Sequence, residues 1–183
     1  RIRVWDVSNP DPQQVPVLLS GHQDQISALA FSPDGLWLAS SGYDDIIYLW
    51  KRGPDNKFSS APIVLTGHTE NIVSIAFDPN GRWLVSASLD RTARLWDMTA
   101  DNPSAAPIVL SGYCSILQAM TISPDGHWLA TSCMDSTVWV WNIKDPTSGM
   151  QPIILSGHTK NIMGLAFSSD NLRLASGSVD GTI

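Results

Sequence analysis

The chain has 183 residues, 43% of them hydrophobic, which is enough for one domain with a substantial core. Its formal net charge is −6 and no Lys/Arg run exceeds the pair Lys51–Arg52, so nucleic acid is not expected as a partner, because phosphate binding needs a basic footprint. The longest apolar runs are about five residues, which predicts no membrane contact through a spanning helix. Two cysteines and no visible targeting signal favour reduced thiols and a cytoplasmic location, and the absence of a starting Met favours a piece of a longer protein.

In chain order, the apolar segments predict short strands separated by turns and Pro-rich connectors. The first two strands are expected over Arg1–Asp6 and Val15–Ser20. One full unit, from Pro62 to Asp97, has four strands, predicted at Ile63–Leu65, Ile72–Phe77, Trp83–Ser88 and Thr92–Trp96. The last two strands are expected at Ile162–Phe167 and Leu172–Ser178.

These elements repeat. Tryptophans recur every 45 or 46 residues, at Trp5, Trp50, Trp96 and Trp141, and glycines do the same at Gly21, Gly67, Gly112 and Gly157. Self-similarity at this period is typical of an array of small sheet units, none of which can bury its apolar face alone. The repeats are expected at residues 1–20 (partial), 21–66, 67–111, 112–156 and 157–183 (partial), all within one domain over 1–183.

A tight turn follows the strand predicted at Ile72–Phe77. Asp78-Pro79-Asn80-Gly81 has Pro at its second position and Gly at its fourth, and two other repeats carry Ser-Pro-Asp-Gly there. The last repeat has Ser168-Ser169-Asp170-Asn171, without Pro or Gly. We expect a looser turn there, since Asn171 has to adopt any left-handed conformation with a Cβ present.

Four strands per period with no helical spacing predict the blades of an all-β propeller. The recurring Gly-His … Asp … Trp-Asp pattern resembles the WD-repeat family across essentially the whole chain. The strand count gives three complete four-stranded blades and two half-blades. The resemblance implies half of a seven- or eight-bladed ring, or part of a longer array of bacterial style.

One set of polar residues recurs in every repeat, and the resemblance implies that it forms a hydrogen-bonded tetrad in each blade. Its members are His22, Ser40, Asp44 and Trp50; His68, Ser86, Asp90 and Trp96; Tyr113, Thr131, Asp135 and Trp141; and His158, Ser176 and Asp180. A buried indole N–H and a buried carboxylate both need partners, which supports the same assignment independently. The third set departs from the pattern, because Tyr113 stands where the others have His.

Two chemical alternatives use the same residues. Ser, His and Asp could form a nucleophilic triad, and His22, His68 and His158 could bind a metal ion. A catalytic site needs one constellation in one cleft, whereas this set occurs once per blade. Equivalent positions in neighbouring blades are also too far apart to share one ion. We therefore predict no enzyme activity, no catalytic residue, no metal and no cofactor.

The resemblance implies a platform that binds a protein or peptide on the face carrying the loop after Gly-His and the turn before the tetrad Asp. The candidates on that face are Tyr43, Glu70, Leu89, Met134, Lys160 and Val179. An apolar turn residue next to water gains little unless something covers it, although packing on a neighbouring blade is an open alternative. Trp139 occurs once, in place of Tyr48 and Arg94, and is a further candidate for a surface anchor.

The sequence thus favours a non-catalytic scaffold. The alternative is the sensor portion of a larger bacterial signalling or defence ATPase or protease, since connectors such as residues 99–103 look like those of large bacterial sensor proteins. The two half-blades match in sequence, because Asp180–Ile183 followed by Arg3–Trp5 reads as a normal third strand. A homodimer that completes an eight-bladed ring is therefore possible, as is a position inside a longer array.

Overall fold

The computed structural model describes residues 1–183 except 9, 10, 12, 113–116 and 147–149. All regular structure in the described residues is β, and it comprises sixteen strands. Those residues contain no helix of the length and apolarity that a membrane crossing requires.

The strands form three four-stranded antiparallel blades. Blade 1 contains β3 (Ile26–Phe31), β4 (Trp37–Gly42), β5 (Ile47–Lys51) and β6 (Ile63–Leu65). Blade 2 contains β7 (Ile72–Phe77), β8 (Trp83–Ser88), β9 (Thr92–Asp97) and β10 (Ile108–Ser111). Blade 3 contains β11 (Leu117–Ile122), β12 (Trp128–Cys133), β13 (Val138–Asn142) and β14 (Ile153–Leu155).

Two half-blades flank them. The N-terminal half-blade pairs β1 (Ile2–Val4) with β2 (Val17–Leu19), which correspond to the third and fourth strands of a blade. The C-terminal half-blade pairs β15 (Ile162–Phe167) with β16 (Leu174–Ser178), which correspond to the first and second. The all-β propeller architecture predicted from the sequence is confirmed, and the described blades do not close into a ring.

The core lies between successive blades. Trp96 of blade 2 packs in one apolar cluster with Ile47, Leu49 and Leu65 of blade 1. The first strands β3, β7, β11 and β15 lie side by side in chain order. Each blade therefore buries one face of the blade before it, as the repeat period requires.

The last hairpin turn differs from the expectation of a looser turn. Asn171 adopts φ +62°, close to the +67° of Gly35, and its N–H donates to the Ser168 carbonyl at 3.0 Å, as in the other repeats. The Asp170 carboxylate accepts the Leu172 N–H at 3.0 Å and also the Ser168 hydroxyl. These side-chain bonds hold the turn closed without Pro or Gly, so the expectation was wrong.

The strand ends define two faces. The loop face carries the segments that enter each first strand and the turns between second and third strands. The hairpin face carries the turns between first and second strands. On the loop face, the N–H groups of Tyr43 and Val179 donate to the carbonyls of Gln25 and Asn161, at 2.8 and 3.0 Å. These two turns are thus tied to the entering loops of their own blades.

Candidate functional site

In blade 1 the four tetrad residues are joined through the imidazole of His22. Its Nδ1 lies 2.9 Å from each Asp44 oxygen, and its Nε2 lies 2.9 Å from Ser40 Oγ. The Trp50 indole N–H donates to the same Ser40 oxygen at 3.1 Å. With Asp44 ionised, this pattern assigns the Nδ1–H tautomer to His22 and leaves the Ser40 hydroxyl to donate to Nε2.

Blade 2 repeats this arrangement. His68 Nδ1 lies 2.7 Å from Asp90, His68 Nε2 lies 2.8 Å from Ser86 Oγ, and Trp96 donates to Ser86 Oγ at 2.9 Å. Burial lowers the pKa of His68 below its usual value of 6.5 against the opposing pull of Asp90, so the imidazole stays neutral. Burial would raise the pKa of Asp90, but hydrogen bonds from Thr92 and His68 outweigh it and hold that pKa below 3.8.

The C-terminal half-blade holds three of the four groups. His158 Nδ1 lies 3.0 Å from Asp180, and His158 Nε2 lies 2.9 Å from Ser176 Oγ. A hydrogen bond from the Thr182 hydroxyl is the largest of the causes that lower the pKa of Asp180 well below its usual range. Among the described residues no indole reaches Ser176, since this half-blade has no third strand.

Blade 3 departs from the pattern. Tyr113 lies outside the described residues. The Trp141 indole N–H is buried without a hydrogen-bond partner, and the Thr131 hydroxyl donates to the Trp139 carbonyl at 3.5 Å. Asp135 is exposed and accepts from Thr137. The expected bond from Trp141 to Thr131 is therefore not formed, and the Thr131 hydroxyl donates to a backbone carbonyl instead.

The tetrads hold the loop face in place. The Asp44, Asp90 and Asp180 carboxylates each accept a backbone N–H from the entering loop of their blade, at 3.0, 3.2 and 2.8 Å. Ser40 and Ser86 are fully buried, so their hydroxyls are not accessible to a substrate as a nucleophile must be. The described residues also contain no group of three or more His, Cys, Asp or Glu side chains placed to hold a metal ion.

The predicted binding residues fall into two groups by exposure. Tyr43, Met134 and Val179 are 42%, 43% and 58% exposed at the turns of blade 1, blade 3 and the C-terminal half-blade. Leu89, the blade 2 equivalent, is half-buried. The two charged candidates, Glu70 and Lys160, are exposed on the entering loops. The loop face thus presents three exposed apolar side chains at the turns and two exposed charges on the entering loops.

Trp139 is not a surface anchor. It is 5% exposed and lies over Gly112, where an added Cβ would come within 1.9 Å of its ring. Tyr48 and Arg94 occupy the same position in blades 1 and 2, and each donates to the carbonyl of the glycine beneath it. The prediction for Trp139 was wrong, because this position covers the recurring glycine of every complete blade, namely Gly21, Gly67 and Gly112.

The cysteine expectation also needs correction. Cys133 is fully buried and disulfide-bonded, so it is not the free thiol expected from the sequence. Cys114 lies outside the described residues.

The hairpin face carries contacts between blades that the sequence did not predict. Asn80 of blade 2 donates through Nδ2 to the Asp125 carbonyl of blade 3 at 3.0 Å. The Asp125 N–H donates in turn to Asn171 Oδ1 of the C-terminal half-blade at 3.0 Å. The signal in the sequence was the Asn at two of the four hairpins, which places a side-chain amide next to the neighbouring turn. Some polar groups of the hairpin face thus form hydrogen bonds to the turn of a neighbouring blade.

Comparison with known proteins agrees with the fold. A family model described as WD domain, G-beta repeat matches residues 12–51, 60–97, 107–142 and 149–183. Ribosome assembly protein 4 of Chaetomium thermophilum is 42% identical over 55 residues, which are 30% of this chain and 10% of that protein. Ribosome assembly protein 4 of Saccharomyces cerevisiae is 41% identical over 54 residues, 29% of this chain and 10% of that protein. The similarity to these two relatives spans about a tenth of their length.

Proposed function

Because the chain belongs to the WD40 repeat family, we propose that it is a non-catalytic scaffold that binds a protein or peptide partner through its loop face. The observation that carries this proposal is the exposure of Tyr43, Met134 and Val179 at equivalent turns of separate blades. Apolar side chains at tight turns stay in water at a cost, and a partner that covers them removes it.

The turns and loops of the loop face are held by hydrogen bonds, which favours binding of a partner there. The turn bearing Tyr43 is tied to its entering loop by a backbone hydrogen bond, and that loop is tied to the buried tetrad through Asp44. Val179 is held in the same way by Asn161 and the tetrad carboxylate of Asp180. Side chains on such a support lose little conformational freedom on binding, so more of the contact energy appears as affinity.

Two exposed charges of opposite sign on the loop face favour one orientation of a bound partner. Glu70 on blade 2 and Lys160 on the C-terminal half-blade are both exposed, and they carry opposite signs. A partner is expected to present complementary charges at these two points. Exposed rim charges act mainly on the association rate and on its salt dependence, so the apolar turns are expected to supply most of the affinity.

The partner is proposed to be protein rather than nucleic acid. The formal net charge is −6, with 11 Lys and Arg against 17 Asp and Glu. A duplex or single strand would need a basic groove to neutralise its phosphates. An acidic protein with scattered apolar turns is suited instead to a partner with apolar and basic side chains.

Site-specific photo-crosslinking tests the face. A photoreactive phenylalanine analogue is introduced at Tyr43, Met134 or Val179, and at Asp34 or Leu36 of the hairpin face as matched exposed controls. In cells that express the protein, the three loop-face positions should yield the same adduct, identified by mass spectrometry, and the two hairpin-face positions should not. Adducts at the hairpin face alone would contradict the proposal, as would the absence of a shared adduct at the loop face.

A further inference from the structure

The connector after the third strand of blade 1 differs in charge from the equivalent segments of the other repeats. Residues 51–60 contain three basic residues and one acid, whereas residues 97–106 of blade 2 and 6–15 of the N-terminal half-blade each contain two acids and no base. The three basic residues are Lys51, Arg52 and Lys57. A chain of net charge −6 thus concentrates positive charge in one connector.

The residue that follows the tetrad Trp changes the start of this connector. In blade 2 the Asp97 carboxylate accepts the Thr99 N–H at 2.9 Å, which closes a turn. In blade 3 the Asn142 side chain accepts the Lys144 N–H in the same way, at 3.1 Å. Blade 1 has Lys51 at this position, and a lysine side chain offers donors but no acceptor. The turn cannot form there, so the connector of blade 1 folds differently.

This connector forms a small hairpin that continues from β5. Arg52 pairs with Phe58 in an antiparallel bridge. The Gly53 N–H donates to the Lys57 carbonyl at 2.7 Å, and Asn56 turns the chain with φ +64°, in the left-handed region that Asn tolerates. Phe58 also packs against a cluster of buried apolar side chains, so the hairpin is held on the core at its base.

The hairpin borders a hollow of about 550 Å³, and all of its lining residues lie within 51–60. The hollow therefore belongs to one connector of a complete blade. Lys57 Nζ lies 3.9 Å from Asp55 Oδ2, but the two side chains are 79% and 62% exposed, so this pair is weak. In the part of the chain that the structure describes, neither Lys51 nor Arg52 forms an ion pair. Two cationic groups at the hollow are thus available to an anion.

Carboxylates beside the hollow limit the kind of anion that can approach it. The connector adjoins the hairpin face, because the Arg52 N–H donates to the Leu36 carbonyl at 2.8 Å. Asp34 and Asp170 are exposed on that face, and Asp34 is bonded within its own turn rather than to Arg52. A bilayer or a nucleic acid duplex would bring its charges against these carboxylates as well. A short acidic segment can confine its charges to the hollow, because exposed charges more than about 8 Å apart interact little at physiological ionic strength.

We propose that the hollow binds an acidic segment of a protein, whose Asp or Glu side chains pair with Lys51, Arg52 and Lys57. A volume of about 550 Å³ lies in the range of pockets that hold a ligand of many atoms, so several side chains fit rather than one small ion. Complementary charge brings such a segment to the hollow and fixes its position there. The hollow lies beside the hairpin face, so its ligand is separate from the partner proposed for the loop face.

Fluorescence anisotropy with labelled hexaglutamate tests the site on the 183-residue chain. The unmodified chain should bind this peptide at low ionic strength and should not bind hexaglutamine. Replacement of the three basic residues together, Lys51→Gln with Arg52→Gln and Lys57→Gln, should weaken binding by about tenfold or more, because three ion pairs are lost. Lys144→Gln is the matched control, since Lys144 is exposed on the equivalent connector of blade 3, and it should leave binding unchanged.

Two substitutions at one position separate an effect of charge from an effect on the fold. The Lys57 side chain is 79% exposed, so Lys57→Glu and Lys57→Arg should both keep the unfolding midpoint of the unmodified chain. Lys57→Glu should weaken hexaglutamate binding, and Lys57→Arg should retain it. Phosphatidylserine vesicles should not bind the chain in co-sedimentation. Failure to bind hexaglutamate, equal binding by the triple variant, or binding to the vesicles that the triple variant abolishes would each overturn the proposal.

Discussion

Replacement of the tetrad tryptophans by phenylalanine should have unequal effects in blades 2 and 3. Trp96 and Trp141 occupy equivalent positions and are 0% and 3% exposed, so the volume lost on substitution is the same and the cavity terms are comparable. The two indoles differ in hydrogen bonding. Trp96 donates to Ser86 at 2.9 Å, whereas the Trp141 N–H is buried without a partner.

The two variants should differ in free energy of unfolding because one indole is hydrogen-bonded and the other is not. Trp96→Phe loses a buried hydrogen bond with a net value of about 0.5–1.5 kcal/mol. Trp141→Phe removes an unsatisfied donor, whose burial costs about 1–3 kcal/mol. After subtraction of the shared cavity term, Trp96→Phe should lower the free energy of unfolding by about 1.5–4.5 kcal/mol more than Trp141→Phe does.

Urea unfolding of the two variants and the parent, followed by far-UV circular dichroism under identical conditions, measures this difference. Trp50→Phe is the internal reference, because Trp50 donates to Ser40 at 3.1 Å and should behave like Trp96. Equal destabilisation by Trp96→Phe and Trp141→Phe would refute the reasoning, since it would mean that the indole hydrogen bond contributes nothing.

Three further predictions concern pH and packing. The pKa of His68 is lowered on folding, so the unfolded chain takes up the proton first and stability falls as pH drops below about 6.5. His68→Gln should reduce this dependence of the urea denaturation midpoint on pH, and an unchanged dependence would contradict it. The pKa of Asp90 is also lowered, so Asp90→Asn should remove part of the stability loss seen as pH falls through 3.8. Gly112→Ala places a Cβ 1.9 Å from the Trp139 ring and should cost about 1–3 kcal/mol in thermal unfolding, whereas Gly164→Ala, with open space, should stay within about 0.5 kcal/mol; equal costs would contradict the packing.

The strand pattern of this fold is readable from the sequence because each blade is assembled from neighbouring segments. Strand β8 has the predicted bounds, Trp83–Ser88, because an Asn-Gly turn precedes it and a polar turn follows it. The four β-bulges are different. Among the described strands the register shifts near the start of each first strand, for example between Ile72 and Ser74, where no Gly or Pro marks the place. A glycine lies at this position in the C-terminal half-blade, at Gly164. Bulges of this kind depend on the partner strand, which a local pattern does not report.

Blade 3 shows a second feature that the sequence does not predict. Thr131 and Trp141 are the residue types expected for a tetrad, yet the indole N–H has no partner. The sequence gives the residue types that are present, but whether two of them meet in hydrogen-bond geometry depends on the packing of the whole blade. Trp139 could have been placed correctly, because Tyr48 and Arg94 at its position are also long enough to cover a glycine.

Binding of a partner to the loop face is tested most directly by the affinity of the cross-linked partner for substituted chains. Tyr43, Met134 and Val179 are replaced together by Ser in one variant, and the hairpin-face residues Asp34 and Asp125 by Ala in another. Calorimetric titration should show at least an approximately tenfold loss of affinity for the first variant, because central apolar anchors typically contribute more than about 1 kcal/mol each, and little change for the second. Unchanged affinity of the first variant, with binding lost in the second, would contradict the claim.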